Sequence, residues 1–295
     1  MKAFVISETE SAARELCAAA RAQADEVILV MVGAPAVTEC ADKCIHVEVP
    51  AENIADDAYL TVNKLFDAED CQMVLGQASE RMLSLVGRLA AHIGTAAITD
   101  IIELADGQAS SMYFGGIGIR TARAAGPVAV YTAGPGTFDA SAATGSVVVE
   151  EATFEAPYTA ARKVGVEALP PSGVDLHTVD VVVGVGRGFT DESALQPARD
   201  LAEKIGAALG CTRPLTEVVD WFPREAYIGV SGQMLTPKVY VACGISGQMQ
   251  HMVGVNRSGA VFAINKDKNA AVFKQCDYGI VGAVEEVIPA LVAAL

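Results

Sequence analysis

Val179-Asp180-Val181-Val182-Val183-Gly184-Val185-Gly186-Arg187-Gly188 is the stretch that decides the fold. An apolar, β-branched run of strand length ends among three glycines, and a helical pattern follows from about Asp191 to Leu209. Strand, glycine turn and helix in that order form the repeating unit of a parallel sheet flanked by helices. At such a junction the backbone turns tightly and leaves N–H groups pointing outward. That arrangement suits a phosphate, with help from the helix dipole. The glycine spacing is GxGxG with an arginine inside it, which is not the GxGxxG dinucleotide fingerprint. An ordinary strand–helix turn is the competing reading, but such a turn has no need of a guanidinium beside three glycines.

Upstream, Leu169-Pro170-Pro171-Ser172-Gly173 reads as a linker, which places a domain boundary near residue 172. The expected units are 1–172 and 173–295. In the first, short apolar runs at Ala3–Ile6, Val27–Val32, Ile45–Val49, Cys71–Leu75, Ile98–Leu104 and Val128–Thr132 read as strands. Helical patterns lie between them at Glu8–Ala24, Asp56–Phe66 and Ser79–Ile93, the last with Leu83, Val86, Leu89 and Ala90 facing inward. Downstream, Val239–Ala242 and Val261–Ile264 read as strands and Val284–Ala294 as a closing helix. The expected class is α/β: two domains, each a mostly parallel sheet flanked by helices, the second a Rossmann-like nucleotide-binding fold.

Composition narrows the function. The chain has 295 residues, 52% hydrophobic and 19% charged, which excludes intrinsic disorder. Seven scattered cysteines argue against a secreted disulfide scaffold and for a reducing compartment. The formal net charge is −15, unevenly spread: 11 basic and 23 acidic side chains up to Ser172, then 10 and 13 from Gly173. Such a surface repels nucleic-acid phosphates, so no nucleic-acid partner is expected, and an anionic small molecule fits the second half better. The N-terminus lacks a signal h-region, and the apolar run Val27–Val37 is about half the ~20 residues of a membrane helix. A soluble, cytoplasmic protein that is not membrane-embedded is the expectation.

Three further segments carry possible chemistry. Cys211-Thr212-Arg213-Pro214 holds an arginine rigidly beside a proline. Gly244-Ile245-Ser246-Gly247-Gln248-Met249-Gln250-His251 follows a buried strand, at the position where open α/β sheets bind ligands. Gly229-Val230-Ser231-Gly232 adds a glycine-flanked hydroxyl, and Asn265 leaves the strand Ala263-Ile264. A lone histidine such as His251 more often satisfies core hydrogen bonds than performs chemistry. No GxSxG elbow, Walker A loop or HExxH motif occurs, and Cys40 with Cys44 lacks a second ligand pair, so hydrolysis and zinc are not indicated.

The segment Tyr240–His251, together with Ala263-Ile264-Asn265-Lys266-Asp267 and Asp277-Tyr278-Gly279-Ile280-Val281, closely resembles the alpha subunit of electron transfer flavoproteins. Thr99-Asp100-Ile101-Ile102 and Thr137-Phe138-Asp139-Ala140 extend the likeness into the first domain. The resemblance implies a redox carrier rather than an enzyme: one FAD in the C-terminal domain, and a beta subunit against the N-terminal domain. A dehydrogenase would supply electrons, in fatty acid or acyl-CoA metabolism for many members, and a quinone reductase or another acceptor would remove them. The flavin would pass through an anionic semiquinone, and some members bifurcate electrons with a second FAD in beta.

Residue by residue, the resemblance makes Arg187 a cofactor contact in the glycine loop and sets Arg213 against the isoalloxazine. Thr212 keeps a hydroxyl at a cofactor contact, Ser231 faces flavin N5, and the backbone of Ile228, Gly229 and Val230 lies alongside. Ser246, Gly247, Gln248, Met249 and Gln250 form the cradle, His251 donates to the flavin C2 carbonyl, and Asn265 meets the adenosine side. Ala283 departs from the family pattern, which carries an adenosine-binding Asp there. Two other readings are a Rossmann-like oxidoreductase with its own substrate and a flavin-free adenine-nucleotide-binding protein.

Overall fold

The computed structural model describes residues 1–114, 116–145, 148–159, 161–167 and 175–295. The chain divides into two compact units, one of Met1–Tyr113 with Gly118–Glu167 and the other chiefly of Ala168–Leu295. The boundary expected near residue 172, with its linker, lies outside the described residues.

The first unit is built on seven parallel strands: β1 (Lys2–Ser7), β2 (Glu26–Val32), β3 (Lys43–Val47), β4 (Met73–Gln77), β5 (Ala97–Ile98), β9 (Ala129–Ala133) and β10 (Val148–Ala152). Their order is β10-β3-β2-β1-β4-β9-β5. The central strands β1, β2 and β4 are apolar on both faces because helices cover both. Ala3, Val5, Val27 and Leu29 pack with Leu16 and Ala20 of α1 (Glu10–Arg21). Phe4, Ile6, Ile28 and Val30 pack on the other face with Val62 and Phe66 of α2 (Tyr59–Glu69) and Leu85 and Leu89 of α3 (Glu80–Ile93). Ser79 caps α3 by accepting the Met82 N–H, 3.3 Å away.

Two expectations for this unit are corrected, and one strand is added. Leu83 is exposed; Met82 and Leu85 take the inward positions beside Val86. Ile98–Leu104 is not one strand: Asp100 adopts a left-handed φ of 50°, and the chain leaves the parallel sheet there. It continues as β6 (Ile101–Ala105), which joins β7 (Gln108–Tyr113) and β8 (Gly118–Arg123) in a separate antiparallel sheet. Val148–Ala152, for which the sequence suggested no strand, is the edge strand β10, exposed along most of its length and therefore without an apolar signature.

The second unit carries five parallel strands in the order β12-β11-β13-β14-β15. They are β11 (Val181–Val185), β12 (Ala208–Cys211), β13 (Val239–Cys243), β14 (Ala260–Asn265) and β15 (Tyr278–Val281). Val183, Val185, Val241 and Ile264 pack under α4 (Gln196–Ile205) and α7 (Val284–Ala294). Val182, Tyr240, Ala242 and Ala263 face the opposite side with Met252 and Val255. The helix expected to reach Leu209 ends at Ile205. Gly206 takes the left-handed conformation and returns its N–H to Ala202 and Glu203, so Leu209 lies in β12. Two short helices, α5 (Pro214–Glu217) and α6 (Met249–Met252), follow β12 and β13.

Candidate functional site

β11 has β12 on one side and β13 on the other, so successive connections run in opposite directions from it. Crevices form at such switch points, outside the carboxyl ends of the strands. A cleft of about 630 Å³ occupies this position, lined by residues of the loops that leave β11, β12, β13 and β14. That volume falls within the ~300–1,000 Å³ range of small-molecule and cofactor sites.

The glycines of the two central loops serve close backbone packing. Gly188 donates its N–H to the Gly244 carbonyl at 2.9 Å, and Gly186 donates to the Cys243 carbonyl at 3.0 Å. A Cβ on Gly188 would lie 2.5 Å from the Gly244 Cα. The loops after β11 and β13 are thus fastened together, while Gly186, Arg187 and Gly188 still line the cleft. The Thr212 N–H reaches back to the Val185 carbonyl at 2.9 Å, setting Thr212, Arg213 and Pro214 at the next corner. The Tyr227–Gly232 turn closes the floor: the Val230 N–H donates to the Gln250 carbonyl (2.8 Å) and the Tyr227 and Ser231 hydroxyls meet at 3.0 Å.

Of the residues expected in a cofactor site, Arg187, Thr212, Arg213, Val230, Ser231, Ser246, Gln248, Gln250, His251 and Asn265 all line this cleft. Ile228, Gly229, Gly247 and Met249 do not. Ile228 is fully buried and contributes its carbonyl to His251, 3.0 Å away. The Gly229 N–H is spent on the Gln233 carbonyl at 3.1 Å. The Gly247 carbonyl accepts from Gln275 Nε2 at 2.8 Å, bracing the loop from behind. Met249 opens α6 on its exposed side. Tyr227 lines the cleft without having been singled out by the sequence.

Three of these side chains hold partners within the protein. His251 is buried, and both ring nitrogens are engaged by the protein: Nδ1 with the Ile228 carbonyl and Nε2 with the Tyr240 hydroxyl at 2.7 Å. Burial pushes its pKa down to about 4, so the ring is neutral at physiological pH. Asn265 donates Nδ2–H to the Ile245 carbonyl (2.8 Å) and accepts the Asp267 N–H (2.9 Å), so it ties the β13 and β14 loops together at the cleft edge. Arg213 is exposed and pairs with Glu217 across one turn of α5. The Glu217 carboxylate raises the Arg213 pKa.

The lining is rich in donors: two guanidinium groups, the hydroxyls of Thr212, Ser231 and Ser246, and the amides of Gln248 and Gln250. Among the described lining residues there is no carboxylate. A cleft of that chemistry fits a dinucleotide whose pyrophosphate is anionic and whose flavin ring gains negative charge on reduction. Ala283 is not among the lining residues; it is the N-cap of α7 and gives that helix no side-chain cap.

Comparison with known proteins agrees with this placement. Residues 175–256 match the electron transfer flavoprotein FAD-binding domain, and residues 5–169 match the electron transfer flavoprotein domain. A protein named FixB from Salmonella typhimurium is 36% identical across 99% of this chain and 97% of its own length. FixB of Escherichia coli strain 55989 is 45% identical over 70% of this chain and 67% of its own. The matched FAD-binding domain contains the cleft up to α6, with Asn265 just beyond it. The chain belongs to the electron transfer flavoprotein alpha-subunit family, and its cofactor is FAD.

Proposed function

We propose that the protein is the alpha subunit of a heterodimeric electron carrier, holding FAD in the cleft at the carboxyl edge of the β12-β11-β13-β14-β15 sheet. The observation that carries this reading is the donor-rich, carboxylate-free described lining of a switch-point cleft, with Arg187 and Arg213 at two of its corners. Bound FAD supplies the redox chemistry, taking electrons from a dehydrogenase and releasing them to a quinone reductase or another acceptor. The described cleft residues include no nucleophile–base pair, which suits a carrier that performs no turnover of its own.

The chain's own residues then have separable duties. Arg187, beside the backbone of Gly186 and Gly188, neutralises the pyrophosphate. Arg213 offers a fixed positive charge at the flavin end, favouring the reduced ring over the oxidised one because only the former carries negative charge. Ser231, held by the Tyr227 hydroxyl, presents an orientable O–H at the same end. Asn265 fixes the Ile245 carbonyl and keeps the loop edge in place for the adenosine half. The first unit, with its acidic surface, is assigned to contact with a beta subunit; a domain boundary near residue 172 belongs to the same proposal.

Co-expression with a beta subunit, followed by size exclusion and a visible spectrum, tests the reading. A yellow 1:1 complex that dithionite bleaches in one-electron steps is expected. A colourless protein, or a monomer that takes up and passes on electrons unaided, contradicts it.

A further inference from the structure

Ile245, Ser246 and Gly247 lie in the loop after β13, and each gives its carbonyl to a different donor from the end of β14 or the segment beyond it. Asn265 Nδ2 donates to Ile245 at 2.8 Å, the Val272 N–H to Ser246 at 3.2 Å, and Gln275 Nε2 to Gly247 at 2.8 Å. Gly247 suits this close approach. Its φ is 82°, and a Cβ there would stand 2.1 Å from the Val272 nitrogen.

These carbonyls decide where the amide hydrogens go. Across a trans peptide the N–H points opposite to the preceding C=O, and no cis bond occurs among the described residues. With three successive carbonyls committed to Asn265, Val272 and Gln275, the N–H groups of Ser246, Gly247 and Gln248 turn away from those donors. None of the three N–H groups has a protein partner among the described residues. Ser246 and Gln248 line the cleft. Successive N–H groups around a left-handed residue form a concavity suited to an anionic oxygen.

Gln275 is the side chain that locks the last of these peptides. Its Nε2 reaches the Gly247 carbonyl and, at 3.2 Å, the Ala271 carbonyl, so both amide hydrogens are engaged. Its own N–H donates to the Val272 carbonyl at 3.0 Å, which anchors the residue at both ends. Gln275 is not among the cleft-lining residues.

We propose that Gln275 is a positioning residue for the FAD pyrophosphate: by holding the Gly247 carbonyl behind the loop, it keeps the Gly247–Gln248 peptide turned with its N–H free for a phosphate oxygen. This backbone donor adds to the charge of Arg187. The inference rests on the assignment of FAD to this cleft.

The test uses the complex with its beta subunit and compares the wild type with Gln275→Met, which keeps the length of the side chain and removes its donors. FAD should bind roughly three- to tenfold more weakly, the scale of one hydrogen bond. The ³¹P resonances of the bound pyrophosphate, identified as those missing from Gly188→Ala after dialysis, should shift, while the visible flavin bands stay in place. Phosphorus resonances that do not move overturn the proposal whatever happens to affinity, and so does an unchanged affinity. A displaced flavin spectrum also overturns it, because the loop would then act on the ring. If Gln275→Met fails to fold, hydrogen exchange in the wild type decides: FAD loading should slow exchange of the Gln248 amide, and an amide that exchanges equally fast in both forms contradicts the proposal. Failure of the cofactor assignment is recognised separately, as a wild-type complex that releases no FAD.

Discussion

Arg213 Nε lies 2.5 Å from Glu217 Oε2, four residues along the chain, in an ion pair whose members are 61% and 42% exposed at the side chain. The cation proposed to face the flavin is thus partly neutralised by its own short helix and screened by water. Arg213→Ala should lower the one-electron potential, and Glu217→Gln should raise it by freeing the guanidinium. Because exposed pairs are strongly screened, both shifts should be on the order of tens of millivolts. Potentiometric titration in low and high salt checks this; the shifts should shrink as salt rises. Equal potentials in all three proteins would place Arg213 away from the flavin.

His251 should leave a signature in the pH dependence of stability. Its folded pKa is depressed from the ordinary 6.5 to about 4 by burial. Between these values the unfolded chain binds a proton that the folded chain refuses, so stability falls as pH drops through that window and is flat above it. The loss should reach about 3 kcal/mol by pH 4. Tyr240 and the nearby Cys211 and Cys243 have pKa values pushed upward, so they do not titrate there. Denaturant unfolding from pH 4 to 8 should show this slope in the wild type and a shallower one in His251→Asn.

Ala283 offers a gain rather than a loss. It stands at the N-cap of α7, and no side chain there accepts the helix's first N–H groups. Ala283→Asp should stabilise the protein by about 1 kcal/mol through capping, even without cofactor. Thermal melts of the apo and FAD-loaded forms separate this from a cofactor contact: a gain in both is expected, whereas a gain in the loaded form alone would assign the aspartate to adenosine.

Gly188→Ala should damage the cleft more than the fold. The added Cβ meets the Gly244 backbone at 2.5 Å, which has no flexible end to swing aside. The two central loops must separate, at a cost of about 1–3 kcal/mol. FAD affinity should fall at least tenfold while far-ultraviolet circular dichroism stays unchanged.

How far these features could be read from the sequence depended on the kind of signal each one leaves. β11 and its glycine loop were plain in Val179–Gly188 because a strand buried on both faces is continuously apolar. β10 and β15 are exposed edge strands and carry no such run. β12 was hidden inside a helical pattern, because Ala207-Ala208-Leu209 suits either state and only Gly206 marks the break. The cleft lining was largely foreseen, since glycine-flanked hydroxyls and amides after strands have few other uses. The Tyr240–His251 contact could not be read locally: the residues are eleven apart, on a strand and on the helix after it, and only the fold brings them together. Asn265 at the cleft edge and Gly247 outside the lining both brace loops, a duty that residue type alone does not reveal.

The central claim is that this chain's own switch-point cleft holds FAD, and flavin stoichiometry tests it most directly. The co-expressed complex is acid-precipitated, and the released flavin is identified by chromatography and counted per alpha chain, for the wild type and for Gly188→Ala. The account predicts FAD as the released flavin and a loss approaching one equivalent in the variant after dialysis, with any flavin held by the beta subunit unaffected. Release of FMN, release of no flavin, or full FAD occupancy in Gly188→Ala would contradict it.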